Sequence, residues 1–123
     1  MKDTDIIYGY SREQAIEDGV LVDLSEWASA DKGFMGGFKC PVAVTSALWD
    51  GIEKIGKKSC QDVRGRAHDV LFMGSLAMRS MIKRDVQDTY FKVLLQVGRK
   101  RKHVLRISFR GNEGVTIGFP EDF

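Results

Sequence analysis

Beyond residue 90 the apolar side chains of this chain stop recurring at helical spacing and recur at every second position. Phe91, Val93, Leu95 and Val97 alternate with Tyr90, Lys92, Leu94 and Gln96. Leu105, Ile107 and Phe109 alternate with Val104, Arg106, Ser108 and Arg110, and Val115, Ile117 and Phe119 with Thr116 and Gly118. A period of two marks a strand with one buried face. The connections, 98–101 and 111–114, are too short for crossovers, and the second is rich in residues that tolerate positive φ. The expected product is a three-stranded antiparallel meander with one apolar face packed on a helix.

That helix is predicted just upstream, from about Asp62 to Arg84. Ala67, Val70, Leu71, Gly74, Ala77, Met78 and Met81 follow helical spacing, Asp62 is a suitable N-cap, and Phe72 and Met73 widen the apolar face. The small residues Ala67, Gly74 and Ala77 would let a sheet approach closely. Shorter elements precede it. Ile6, Ile7 and Tyr8 suggest an edge strand. Ser11 and Gln14 read as a capping box for a short helix carrying Ala15 and Ile16, which Gly19 ends.

The run from Val20 to Leu24 reads as extended, and Ser25 as the cap of one helical turn bearing Trp27. Pro41 biases Val42, Ala43 and Val44 toward a strand. Thr45 then caps a helix with Ala47, Leu48, Ile52 and Ile55 on one face, stopped by Gly56, with Lys57 and Lys58 suited to its C-terminal dipole. The sum is an α+β fold, a single domain over 1–123.

At 123 residues, 43% apolar and 29% charged, the chain can bury one core and is not compositionally disordered. No apolar run approaches the roughly 20 residues that span a bilayer. The opening residues lack the basic start and long apolar stretch of an export signal, which points to the cytoplasm. There Cys40 and Cys60 are expected as free thiols rather than a disulfide.

Charge is distributed unevenly. Residues 1–38 carry three Lys/Arg against eight Asp/Glu, and residues 39–123 carry sixteen against nine. The basic side culminates in Arg99, Lys100, Arg101, Lys102 and His103 at the tip of the first hairpin, with Arg106 and Arg110 on the polar face of the second strand. Such a strip could meet phosphates, with Tyr90 as a stacking ring, or an acidic protein. It could equally be a solvated tip whose charge guards a sheet edge.

Motifs for catalysis are missing. His68 and Asp69 are adjacent on a helix, so their side chains point about 100° apart and form no dyad by themselves. Neither cysteine has a His at a diagnostic spacing, there is no GxSxG, and Gly33, Gly36 and Gly37 lack the context of a phosphate loop. No metal site and no cofactor are expected. An unrecognised enzyme would need Asp23, Asp69 or His68 to share a cleft with another polar group. Phe34, Met35 and Phe38, among glycines, form a candidate apolar contact loop if exposed.

Four blocks carry a resemblance: residues 10–23, 41–45, 65–71 and 115–122. They resemble a family of small uncharacterised bacterial proteins carried mostly on plasmids, integrative elements and phages. The resemblance implies no activity and no catalytic residues. It implies an accessory role, including anti-defence inhibition of a CRISPR effector. The functional expectation is therefore a non-enzymatic, mobile-element binding protein that engages a host protein or nucleoprotein complex. Direct nucleic-acid binding through the basic hairpin tip is the alternative.

Overall fold

The computed structural model describes residues 11–28, 38–56, 63–97 and 100–123, with side chains for all of these except 54–56, 95–97, 100, 101 and 112. In chain order the elements are α1 (Arg12–Glu17), β1 (Leu21–Asp23), α2 (Ser25–Ala28), β2 (Val42–Thr45), α3 (Ser46–Gly56), α4 (Val63–Arg84), β3 (Asp88–Val97), β4 (Lys100–Arg110) and β5 (Gly114–Gly118). Single 3-10 turns follow at Gly111–Glu113 and Pro120–Asp122.

The strands form one five-stranded sheet in the order β1-β2-β5-β4-β3. This is larger than the three-stranded unit expected from the alternation. β5 pairs antiparallel with β4 on one side and parallel with β2 on the other, and β2 pairs antiparallel with β1. The parallel pairing brings together strands more than sixty positions apart, which no local pattern announces. Because β5 is flanked on both edges and covered on both faces, all five of its residues are buried.

One face of the sheet carries the main core. Val42, Val44, Phe91, Val93, Leu105, Ile107, Val115 and Ile117 pack with Leu48 and Ile52 of α3 and with Ala67, Val70, Leu71 and Met81 of α4. The expectation that small residues admit the sheet holds at Gly74, where an added Cβ would lie 2.9 Å from Ile117 Cδ1. Phe38 joins this core at 6% exposure, so it is a packing residue and not part of an exposed contact loop. Phe34 and Met35 lie outside the described residues, as do Ile6, Ile7, Tyr8, Cys60 and Asp62.

Caps and turns show where local chemistry decided the outcome. Ser11 Oγ accepts the Gln14 N–H at 3.1 Å, as expected. The Gln14 side chain, however, donates forward to Asp18 rather than back to Ser11. At α2 it is Asp23, not Ser25, that supplies the accepting oxygen, for both Ser25 N–H (2.9 Å) and Ser25 Oγ (2.6 Å). Gly19 takes the left-handed φ of +77°. α4 ends with Asp85 at φ +54°, its N–H bonded to Ile82 O and that of Val86 to Met81 O, a six-to-one closure of the helix end.

Arg66 is the unusual side chain of the interior. It is 3% exposed, donating from Nε to Ile52 O (3.0 Å) and from Nη2 to Gly51 O (2.9 Å). It thereby ties α4 to the C-terminal half of α3. Burial lowers the guanidinium pKa, and the charge of Asp69 acts in the opposite sense.

Candidate binding surface

The second face of the sheet is divided. Over β1, β2 and β5 it is covered by α1, through Ala15, Leu21 and Ala43. Arg12 reaches across to Thr116 Oγ1 and the Val115 carbonyl. The face is open over Tyr90–Leu94 of β3 and Lys102–Val104 of β4, whereas farther along β4 Ser108 is buried and Phe123 lies against Arg106. There the register sets Tyr90 opposite Arg106, Lys92 opposite Val104, and Leu94 opposite Lys102. Each pair joins an apolar or aromatic side chain to a cation. Tyr90 is 58% exposed, Leu94 70% and Val104 43%. Large apolar groups at outward positions of a strand are the informative exception to polar-out patterning.

Arg106 is the most constrained cation of this face. Its Nη2 lies 3.1 Å from Asp88 Oδ1, and its guanidinium sits 4.9 Å above the Phe123 ring. Arg110 is likewise engaged, donating to Gln87 Oε1 at 3.1 Å. Lys92 and Lys102 are exposed. The hairpin tip is described only in part: Lys100 pairs with Val97 after a register shift, Lys100 and Arg101 lie in β4, and Arg99 falls outside the described residues. The six predicted basic residues thus do not act alike, because Arg106 and Arg110 are fixed by partners on β3 and the turn before it.

The sequence asymmetry in charge becomes a spatial one. Exposed Glu13, Glu17, Asp23 and Glu26 belong to α1, β1 and α2, with Asp18 just past the end of α1, at one edge of the sheet. Lys92 lies on β3, the opposite edge strand, and Lys102 on β4 beside it. The separation is partial, since Asp69 lines a cleft with Lys92 and Lys102 and Asp88 pairs with Arg106.

A cleft of about 460 Å³ runs beside β3, lined by Asp69, Phe72 and Met73 of α4 together with Lys92, Val93, Leu94 and Lys102. Phe72 is 48% exposed and stacks on His68, with ring centroids 6.0 Å apart. His68 Nδ1 and Asp69 Oδ1 are 3.8 Å apart and both side chains are exposed, too far for a hydrogen bond. Asp23 lines a separate cleft with Ser11, Arg12, Glu13, Ser25 and Glu113, while Asp69 shares the first with Lys92 and Lys102, so each of these carboxylates meets other polar groups in its own cleft. Among the described residues no group of three His, Cys, Asp or Glu side chains could hold a metal ion. Nor, among them, is any helix long and apolar enough to cross a membrane.

Cys40 is half-buried beside a third cleft formed with Met78, Ile82 and Phe109. Desolvation raises its thiol pKa, and the nearby charge of Arg12 offsets this only in part. A thiol in that state is a weak nucleophile at neutral pH.

The fold is thus a mixed α+β arrangement, one long helix against a five-stranded sheet. Residues 1–101 match a family of unknown function, DUF6573, and the chain belongs to that family. The match ends inside β4, leaving β5, the central strand, outside it. Among curated proteins and among solved structures, nothing matches the chain.

Proposed function

We propose that this chain is a non-enzymatic binding protein whose open β3–β4 face docks on an acidic surface of a host protein or nucleoprotein complex. The observation that carries the reading is the set of three cross-strand pairs, Tyr90–Arg106, Lys92–Val104 and Leu94–Lys102. Apolar side chains interleaved with cations provide contact area and electrostatic steering on one surface. The mobile-element setting suggested by the sequence resemblance makes an accessory or anti-defence inhibitor the biological form of this proposal. Affinity capture from a host lysate, compared between the wild type and Leu94→Glu, tests it. Loss of a specific captured species with the variant supports the reading, and unchanged recovery overturns it.

Nucleic acid is the second reading, favoured by the exposed Tyr90 ring beside Arg106 and the basic tip. Its signature is salt dependence. Several phosphate contacts would weaken binding by about tenfold or more over a few-fold rise in salt, whereas a flat response excludes it.

A further inference from the structure

We propose that β3 is a strand-addition site, where an extended segment of a partner protein, alternating acidic and apolar residues, extends the sheet. The inference rests on the binding reading above and specifies its mode. β3 is the terminal strand of the sheet. Phe109 N–H bonds to Gln87 O at 2.8 Å, and these residues stand opposite each other in the register that pairs Asp88 with Ser108. In an antiparallel ladder such exchanging pairs alternate with pairs that exchange no bonds. Thr89, Phe91 and Val93 therefore bond to β4, and Asp88, Tyr90, Lys92 and Leu94 turn their N–H and C=O groups to the open edge. Among the described residues no strand takes up those groups.

The side chains around the edge define the occupant. Opposite Lys92 on the outer face, beside Lys102, a carboxylate would be matched in charge. Opposite Phe91 and Val93, an incoming side chain would point toward α4 and into the cleft with Phe72 and Met73, where an apolar group fits. A second copy of this chain paired about Lys92 would place like charges together, which disfavours that occupant. The edge is also distinct in chemistry from β1, whose exposed flank is acidic.

The test uses the full chain and a synthetic peptide alternating Glu and Val, followed by amide exchange in NMR spectra. The expected result is new protection at Tyr90, Lys92 and Leu94 on peptide addition, with Phe91 and Val93 protected before and after. Lys92→Glu should weaken binding about three- to tenfold, and a peptide N-methylated at alternate amides should bind far less. If the peptide binds and Leu94→Glu abolishes binding while the edge amides remain unprotected, strand addition is wrong and the face reading stands. If Leu94→Glu also has no effect, both fail. Absence of binding overturns the stated peptide chemistry, and a host partner lost with Leu94→Glu would then leave the face reading intact.

Discussion

The Thr45 hydroxyl donates to Asp122 Oδ2 at 2.6 Å and accepts the Leu48 N–H at 3.3 Å, so one side chain caps α3 and anchors the C-terminal turn. Asp122 Oδ2 also accepts the Phe119 N–H at 3.0 Å. The approach depends on Gly118, where a Cβ would collide with Thr45. Through this lock Phe123 is held over Arg106, linking the end of the chain to the candidate surface.

Thr45→Val keeps the shape and removes both hydrogen bonds. It should cost about 1–3 kcal/mol in urea unfolding, since it leaves Leu48 without its cap and Asp122 with one partner fewer. A double-mutant cycle with Asp122→Ala should show coupling of about 1 kcal/mol between the two positions.

Arg66→Met replaces a buried, hydrogen-bonded cation with an apolar chain of similar length. Two charge-assisted bonds to α3 carbonyls disappear, while the desolvation of the guanidinium is relieved. The bonds are the larger effect because the side chain is well partnered, and the expected net loss is about 1–3 kcal/mol by chemical denaturation. Arg66→Lys should lose a comparable amount, because an ammonium does not reproduce the fork that reaches Gly51 and Ile52 together.

Ser108 presents the reverse case. It is fully buried on β4, and its Oγ has no hydrogen-bond partner among the described residues. Ser108→Ala should therefore be neutral or stabilising by up to about 1 kcal/mol, read as an equal or higher midpoint in thermal unfolding.

The raised thiol pKa of Cys40 sets a pH dependence. Its folded value lies above the ordinary value of 9.0, so the unfolded chain ionises first as pH rises. Stability from this group is complete below about pH 9 and declines as pH climbs from there through the folded value. Cys40→Ala should reduce that alkaline decline. At pH 8, alkylation of Cys40 followed by peptide mass spectrometry should be slower than that of a free cysteine.

Local patterns carried much of the architecture. The period-two runs located β3, β4 and β5, the spacing of Ala67 to Met81 located α4, and Ser11, Gly19 and Thr45 marked real helix ends. What escaped was non-local. The parallel contact between Val42–Thr45 and Gly114–Gly118 has no sequence signal, because parallel pairing depends on a crossover rather than a turn. Phe38 read as a contact residue if exposed, yet it is core: its N–H bonds to Ala28 O at 2.7 Å and its ring reaches the space beside Gly74. For the candidate surface, Lys102, Arg106 and Arg110 were legible as cations on β4. That Asp88 and Phe123 would restrain Arg106 was not, because both come from other strands or the chain end. The outward Leu94 and Val104 were visible in the alternation and are the signal that a polar-only search passes over.

The central claim is that the β3–β4 face is where this protein meets its partner, and quantitative capture tests it most directly. The wild type and a Lys92→Glu/Leu94→Glu/Lys102→Glu variant, each immobilised at equal density, would be exposed to the same host lysate and the bound proteins measured by mass spectrometry. All three sites are exposed, so the variant should remain folded, as circular dichroism would confirm. The account predicts that the major specific species falls by about tenfold or more with the variant. Equal recovery by the two folded proteins would contradict it.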